Sequence, residues 1–124
     1  MNRARILVVE DEPFIRELVR ETLAFEPYEV LEASTGEEAL SQAESAPPDV
    51  VLLDINLDGE LDGIEVCKRL RQREPALPVI FLTAVADNAI VEEGMRAGAC
   101  AYLTKPFSPL ALIERVKAAR GDEV

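Results

Sequence analysis

The chain has 124 residues, 48% of them hydrophobic, enough for one compact domain with its own core and too few for two. Its 24 acids against 13 bases leave a net charge of −11, which favours solubility, argues against direct nucleic-acid binding and points to proteins and cations as partners. The longest apolar stretches, such as Ile6 to Val9, fall far short of the roughly 18 residues of a membrane span, and Glu10, Asp11 and Glu12 interrupt any signal-peptide core, so a cytoplasmic, membrane-free protein is expected.

Short apolar runs alternate with longer amphipathic segments, the pattern of repeated βα units. The first run is Ile6 to Val9; Pro13 then suits the first turn of a helix whose stripe includes Ile15, Leu18, Val19 and Leu23. Tyr28 to Leu31 reads as an edge-like strand, because Glu29 and Glu32 interleave with apolar residues. Thr35 with Glu38 forms a capping box for a helix carrying Ala39 and Leu40, which Pro47 and Pro48 stop. Val50 to Leu53 is the most apolar run, as suits a central parallel strand covered on both faces.

Asp62, with Glu65 three residues on, caps a third helix carrying Ile64, Val66 and Leu70 and ending before Pro75. Pro78 leads into the strand Val79 to Leu82. A fourth helix is expected from Asp87 to Ala97, weakened by Gly94 inside it and closed by Gly98 in a left-handed conformation. Cys100 to Leu103 reads as the last strand, and Ser108-Pro109 starts a final helix with its stripe at Leu112, Ile113 and Val116. Cys67 and Cys100 form no CxxC pair, so two reduced, mostly buried thiols are expected.

Parallel strands joined by right-handed crossovers give a doubly wound sheet with helices on both faces. A single domain over residues 1–124, with a core from about 4 to 119, is expected, leaving no room for an output domain. In such sheets ligands bind beyond the carboxyl ends of the strands. Those ends carry Glu10 and Asp11 after the first strand, Asp54 after the third, Thr83 after the fourth and Lys105-Pro106 after the fifth. If the strand order is 2-1-3-4-5, the three carboxylates converge. Clustered carboxylates repel unless they share protons or bind a cation, and an all-oxygen set suits Mg2+.

Taken singly, each residue also has an ordinary reading. Glu10, Asp11 and Glu12 would favour a helix dipole, Asp54 a turn, Thr83 a cap, and Lys105 would be solvated. As a set they match phosphoryl transfer, where catalysis is mainly positioning and charge neutralisation and a carboxylate can be the covalent acceptor.

The segments Ile6-Leu7-Val8-Val9-Glu10-Asp11-Glu12, Val51-Leu52-Leu53-Asp54, Leu82-Thr83-Ala84 and Tyr102-Leu103-Thr104-Lys105-Pro106-Phe107 resemble, in order and spacing, the receiver domain of two-component response regulators, over essentially the whole chain. That resemblance implies a flavodoxin-like α/β fold: a five-stranded parallel sheet, order 2-1-3-4-5, with five helices in three layers. It implies a phosphorelay switch rather than a turnover enzyme. Asp54 would take a phosphoryl group from a histidine of a partner kinase or histidine phosphotransfer protein, this chain having none. Glu10, Asp11, Asp54 and the backbone carbonyl of Asn56 would hold Mg2+; Thr83 and Lys105 would bind phosphoryl oxygens; and the Lys105-Pro106 bond would be cis. Tyr102 would swing inward as Thr83 moves, changing the face made by the fourth helix, fifth strand and fifth helix toward a downstream target or an output domain.

Three departures from the family pattern stand out. The loop from Asn56 to Gly63 is one residue longer than usual and lacks the common proline. Val85 is bulkier than the usual small residue, and by hindering attacking water it would lengthen the phosphoryl lifetime. Cys100-Ala101 replaces the acids that pair across one dimer mode of the family.

The rival readings are an aspartyl-phosphate phosphatase, a flavin carrier and a phosphorylation-independent module. They fit less well: the first needs its nucleophile on the first strand and a cap domain. The second needs a phosphate-cradling loop where Glu10-Asp11-Glu12 stands, and the third leaves the acceptor, hydroxyl and lysine set unused.

Overall fold

A computed structural model of the chain describes residues 3–57, 59–84 and 88–121. The expected alternation is present as β1 (Ala4–Val9), α1 (Pro13–Leu23), β2 (Tyr28–Ala33), α2 (Gly36–Ser45), β3 (Val50–Asp54), α3 (Gly63–Arg73), β4 (Val79–Thr83), α4 (Asn88–Arg96), β5 (Ala101–Thr104) and α5 (Pro109–Arg120). All pairings are parallel and the order is β2-β1-β3-β4-β5, a doubly wound flavodoxin-like sheet.

The period of two along each strand divides the core into two layers. Leu7, Val9, Val51, Leu53, Val79 and Phe81 face α2 and α3, where Ala39, Val66, Cys67 and Leu70 meet them, and Ile90 of α4 packs on the same layer. Ile6, Val8, Val50, Leu52, Ile80 and Leu82 face α1 and α5 through Val19, Leu23, Leu112 and Val116. The central strands β3 and β4 are buried throughout, which explains their unbroken apolar sequence.

Local signals set the helix starts. Thr35 Oγ1 accepts from the Glu38 amide at 3.1 Å, Asp62 Oδ1 from the Glu65 amide at 2.9 Å, and Ser108 Oγ from the Ala111 amide at 3.0 Å. Glu38 completes its box one residue early, accepting from the Ser34 amide rather than from Thr35. Gly98 follows α4 at φ +113°, in the left-handed region expected of it. The expected start of α4 at Asp87, and Val85, lie outside the described residues.

Two expectations need correction. β5 runs from Ala101 to Thr104, one residue later than the apolar run suggests, because its bounds follow its pairing with Ile80 to Thr83. Cys100 therefore falls in the turn before an edge strand and is exposed, while Cys67 is buried as expected. No helix among the described residues is long and apolar enough to cross a membrane.

Candidate functional site

The register places the site. Val9 pairs with Leu53, so the next residues on the two strands, Glu10 and Asp54, sit side by side at the carboxyl edge. β4 brings Thr83 beside them as its last residue, and the Lys105 amide, donating to the Thr83 carbonyl at 2.7 Å, ties the end of β5 to the end of β4. The Lys105–Pro106 peptide is cis.

Glu10, Asp54 and Thr83 are buried, Asp11 is half-buried and Asn56 is exposed. One carboxylate oxygen from each of Glu10, Asp11 and Asp54 lies within 4.8 Å of the others. Lys105 Nζ reaches into the cluster, 2.5 Å from Glu10 Oε1 and 3.6 Å from Asp54 Oδ2. Asp54 Oδ1 accepts from the Asn56 amide at 3.0 Å. Glu10 Oε2 accepts a long bond of 3.4 Å from the Glu12 amide.

These contacts set the electrostatics. Burial pushes the Glu10 carboxyl up to about 8, helped by the hydrogen bond and negative charge of Asp54 and only partly opposed by Lys105. For Lys105, burial alone would lower the ammonium, but the Glu10 hydrogen bond and the charges of Asp54, Glu10 and Glu12 outweigh it and raise it. One lysine is thus too little positive charge for three acids. An all-oxygen set of this kind suits Mg2+, and a cation here would return Glu10 to its charged form.

Two residues outside the expected set touch the site. Gly63, the first residue of α3, lies so close to the acceptor strand that an added Cβ would sit 2.3 Å from the Asp54 carbonyl oxygen and 2.7 Å from Ile55 Cα. Its trace in the sequence is a glycine opening a capped helix, where alanine is the better helix former. Arg16 of α1 donates from Nη1 to the Glu10 carbonyl at 2.8 Å, and no sequence pattern marks it for that role. Tyr102 stands apart: it pairs with Phe81 in the β4–β5 ladder and is 40% exposed.

Residues 6–117 match the model of the response regulator receiver domain. The chain belongs to that family. It is 48% identical over 118 residues to the alkaline phosphatase synthesis transcriptional regulatory protein PhoP of Bacillus subtilis, covering 95% of this chain and 48% of the relative. It is 44% identical to the transcriptional regulatory protein ResD of the same organism, covering 94% and 48%. The chain therefore spans about half the length of these relatives.

Among solved structures, a CheY-like receiver domain protein from Methanospirillum hungatei superposes with a TM-score of 0.91 at 32% identity, covering 97% of this chain and 95% of the other. NtrX from Brucella abortus gives 0.92 at 33% identity, covering 97% and 27%. Receiver domains bind Mg2+ at an acidic pocket, and in this receiver domain the acidic cluster is Glu10, Asp11 and Asp54.

Proposed function

We propose that this receiver domain accepts a phosphoryl group on Asp54 from a histidine of a partner kinase or histidine phosphotransfer protein. The observation that carries the reading is the meeting of Glu10, Asp11 and Asp54 with Lys105 at one sheet edge. The chain contains no histidine, so the donor histidine lies outside these 124 residues.

The two oxygens of Asp54 are not equivalent. Oδ1 is engaged by the Asn56 amide, and Oδ2 faces Lys105. Oδ2 is the nucleophile: it forms the new bond to phosphorus as the donor's P–N bond breaks. Lys105 then holds a phosphoryl oxygen with its ammonium, and the Thr83 hydroxyl holds another, which requires Lys105 to release part of its grip on Glu10. Glu10, Asp11, Asp54 and the Asn56 carbonyl are the groups that would hold Mg2+. When bound, the ion neutralises charge on the phosphoryl oxygens and so makes in-line transfer between anions affordable.

A phosphoryl group brings negative charge and acceptor oxygens to a buried edge, enough to bias a two-state element. Thr83 is the residue drawn toward it, and Tyr102, now 40% exposed, is the readout that turns inward and alters the α4-β5-α5 face. PhoP and ResD are named as transcriptional regulators and are about twice this length. With a net charge of −11, this segment supplies the switch to a protein target or output domain rather than the DNA contact of such a regulator.

The test is incubation with Mg2+ and a small acyl-phosphate donor, followed by intact mass spectrometry. A base-labile adduct of one phosphoryl group on the wild type and none on Asp54→Ala is expected. An equal adduct on the variant would remove Asp54 from the role.

A further inference from the structure

The β1 ladder ends at Val9, and beyond it the Glu10 amide still donates to the Ala33 carbonyl of β2 at 3.0 Å. The carbonyl of the same residue instead accepts from Arg16 Nη1 of α1 at 2.8 Å. Arg16 is itself held, since its Nε pairs with Glu32 Oε1 of β2 at 3.3 Å. The other Glu32 oxygen pairs with Arg20 Nη1 at 3.4 Å, and Gln42 of α2 donates to the Glu32 backbone carbonyl. A chain of directional contacts thus runs from α2 through the edge strand and α1 to one peptide group.

That peptide joins Glu10 to Asp11. Fixing its carbonyl fixes the divergence of the two side chains: Glu10 turns inward to Lys105, and Asp11 stays half-buried with an oxygen within reach of Glu10 and Asp54. The guanidinium adds positive charge beside a surplus of negative charge, and it engages the backbone, not a carboxylate of the cluster, so no oxygen that would hold a cation is consumed.

We infer that Arg16 is a positioning residue for the Mg2+ site, acting through the Glu10 backbone, with Glu32 as its anchor; this rests on the reading of Glu10, Asp11 and Asp54 as that site. Groups that orient metal ligands set how tightly the metal is held. Their loss typically weakens binding by roughly ten-fold or more; the partly exposed Arg16–Glu32 ion pair adds little to folding, while the bond to the carbonyl of buried Glu10 adds more. Lysine is a poor substitute, because its single ammonium lacks the planar fork that reaches a carbonyl and a carboxylate together.

The probe is Mg2+ alone, titrated into the wild type, Arg16→Ala, Arg16→Lys, Glu32→Gln and the double variant Arg16→Ala/Glu32→Gln, with amide NMR shifts as the readout and thermal melts alongside. Arg16→Ala is expected to raise the Mg2+ Kd of the folded protein roughly ten-fold with a modest fall in melting temperature from the lost bond to the Glu10 carbonyl. Arg16→Lys should recover part of the affinity, and Glu32→Gln should weaken binding less than Arg16→Ala. The double variant should bind no worse than Arg16→Ala, because both residues act through one contact. If the wild type binds Mg2+ and Arg16→Ala binds equally well, the positioning role is overturned while the acid cluster stands. If the wild type does not respond to Mg2+, the acid cluster reading fails and takes this inference with it. Should Arg16→Ala not fold, wild-type affinity in both Arg16→Lys and Glu32→Gln would overturn the role.

Discussion

Glu10 is a fully buried carboxyl with Asp54 on one side and Lys105 on the other, and its proton ties site chemistry to stability. The unfolded chain releases that proton near 4.5 and the folded chain near 8. Between those values the folded state holds a proton that the unfolded state has lost, so raising the pH through this window costs stability. Below it and above it the contribution is level. Lys105, raised in the folded state, contributes stability that is lost only at still higher pH. Glu10→Gln should therefore gain on the wild type between pH 5 and pH 8, by at most about 1.4 kcal/mol for each pH unit crossed. Urea melts at the two pH values without Mg2+ check this, and an equal difference at both would contradict it.

At the scale of elements, the start of α3 is packed against the acceptor strand through Gly63. Alanine there would gain up to about 1 kcal/mol of helix propensity, but its Cβ would meet backbone that cannot step aside. A net loss of about 1–3 kcal/mol is expected for Gly63→Ala, with amide shifts concentrated at Asp54 to Asn56. Gly94→Ala meets the Phe81 ring at 2.7 Å instead, and a ring can yield, so a smaller loss is expected, with the changes spread along α4. Chemical denaturation and amide spectra of the two variants separate these outcomes.

The same elements show what was legible beforehand. The caps at Thr35, Asp62 and Ser108 involve partners three residues apart, so local sequence carries them. The buried strands announce themselves by apolar runs, and the strand-end residues Glu10, Asp54, Thr83 and Lys105 follow from where those runs stop. The Lys105–Glu10 contact spans 95 residues, and only the strand order makes it foreseeable. The bounds of β5, the exposure of Cys100 and the reach of Arg16 to a backbone carbonyl depend on pairing and on side-chain direction, which periodicity does not encode.

For the molecule as a whole, the excess of acids is both diffuse and focused: a net charge of −11 over the chain and three carboxylates at one edge. Simple salt should raise the melting temperature by screening the diffuse part. Mg2+ at matched ionic strength should raise it further by binding the folded state, adding about 1.4 kcal/mol for a tenfold excess over Kd, and Asp11→Asn should lose most of that excess. Equal effects of Na+ and Mg2+ would argue that the cluster is not a metal site. The focused part matters because it surrounds the one oxygen proposed to attack phosphorus. The most direct measurement is reductive trapping: phosphorylate the protein with an acyl-phosphate donor and Mg2+, reduce with borohydride, and map the product by peptide mass spectrometry. An acyl phosphate on aspartate is converted to homoserine, and homoserine confined to position 54 is the expected result. Homoserine at another aspartate, or none in a sample carrying the phosphoryl adduct, would contradict the assignment of Asp54.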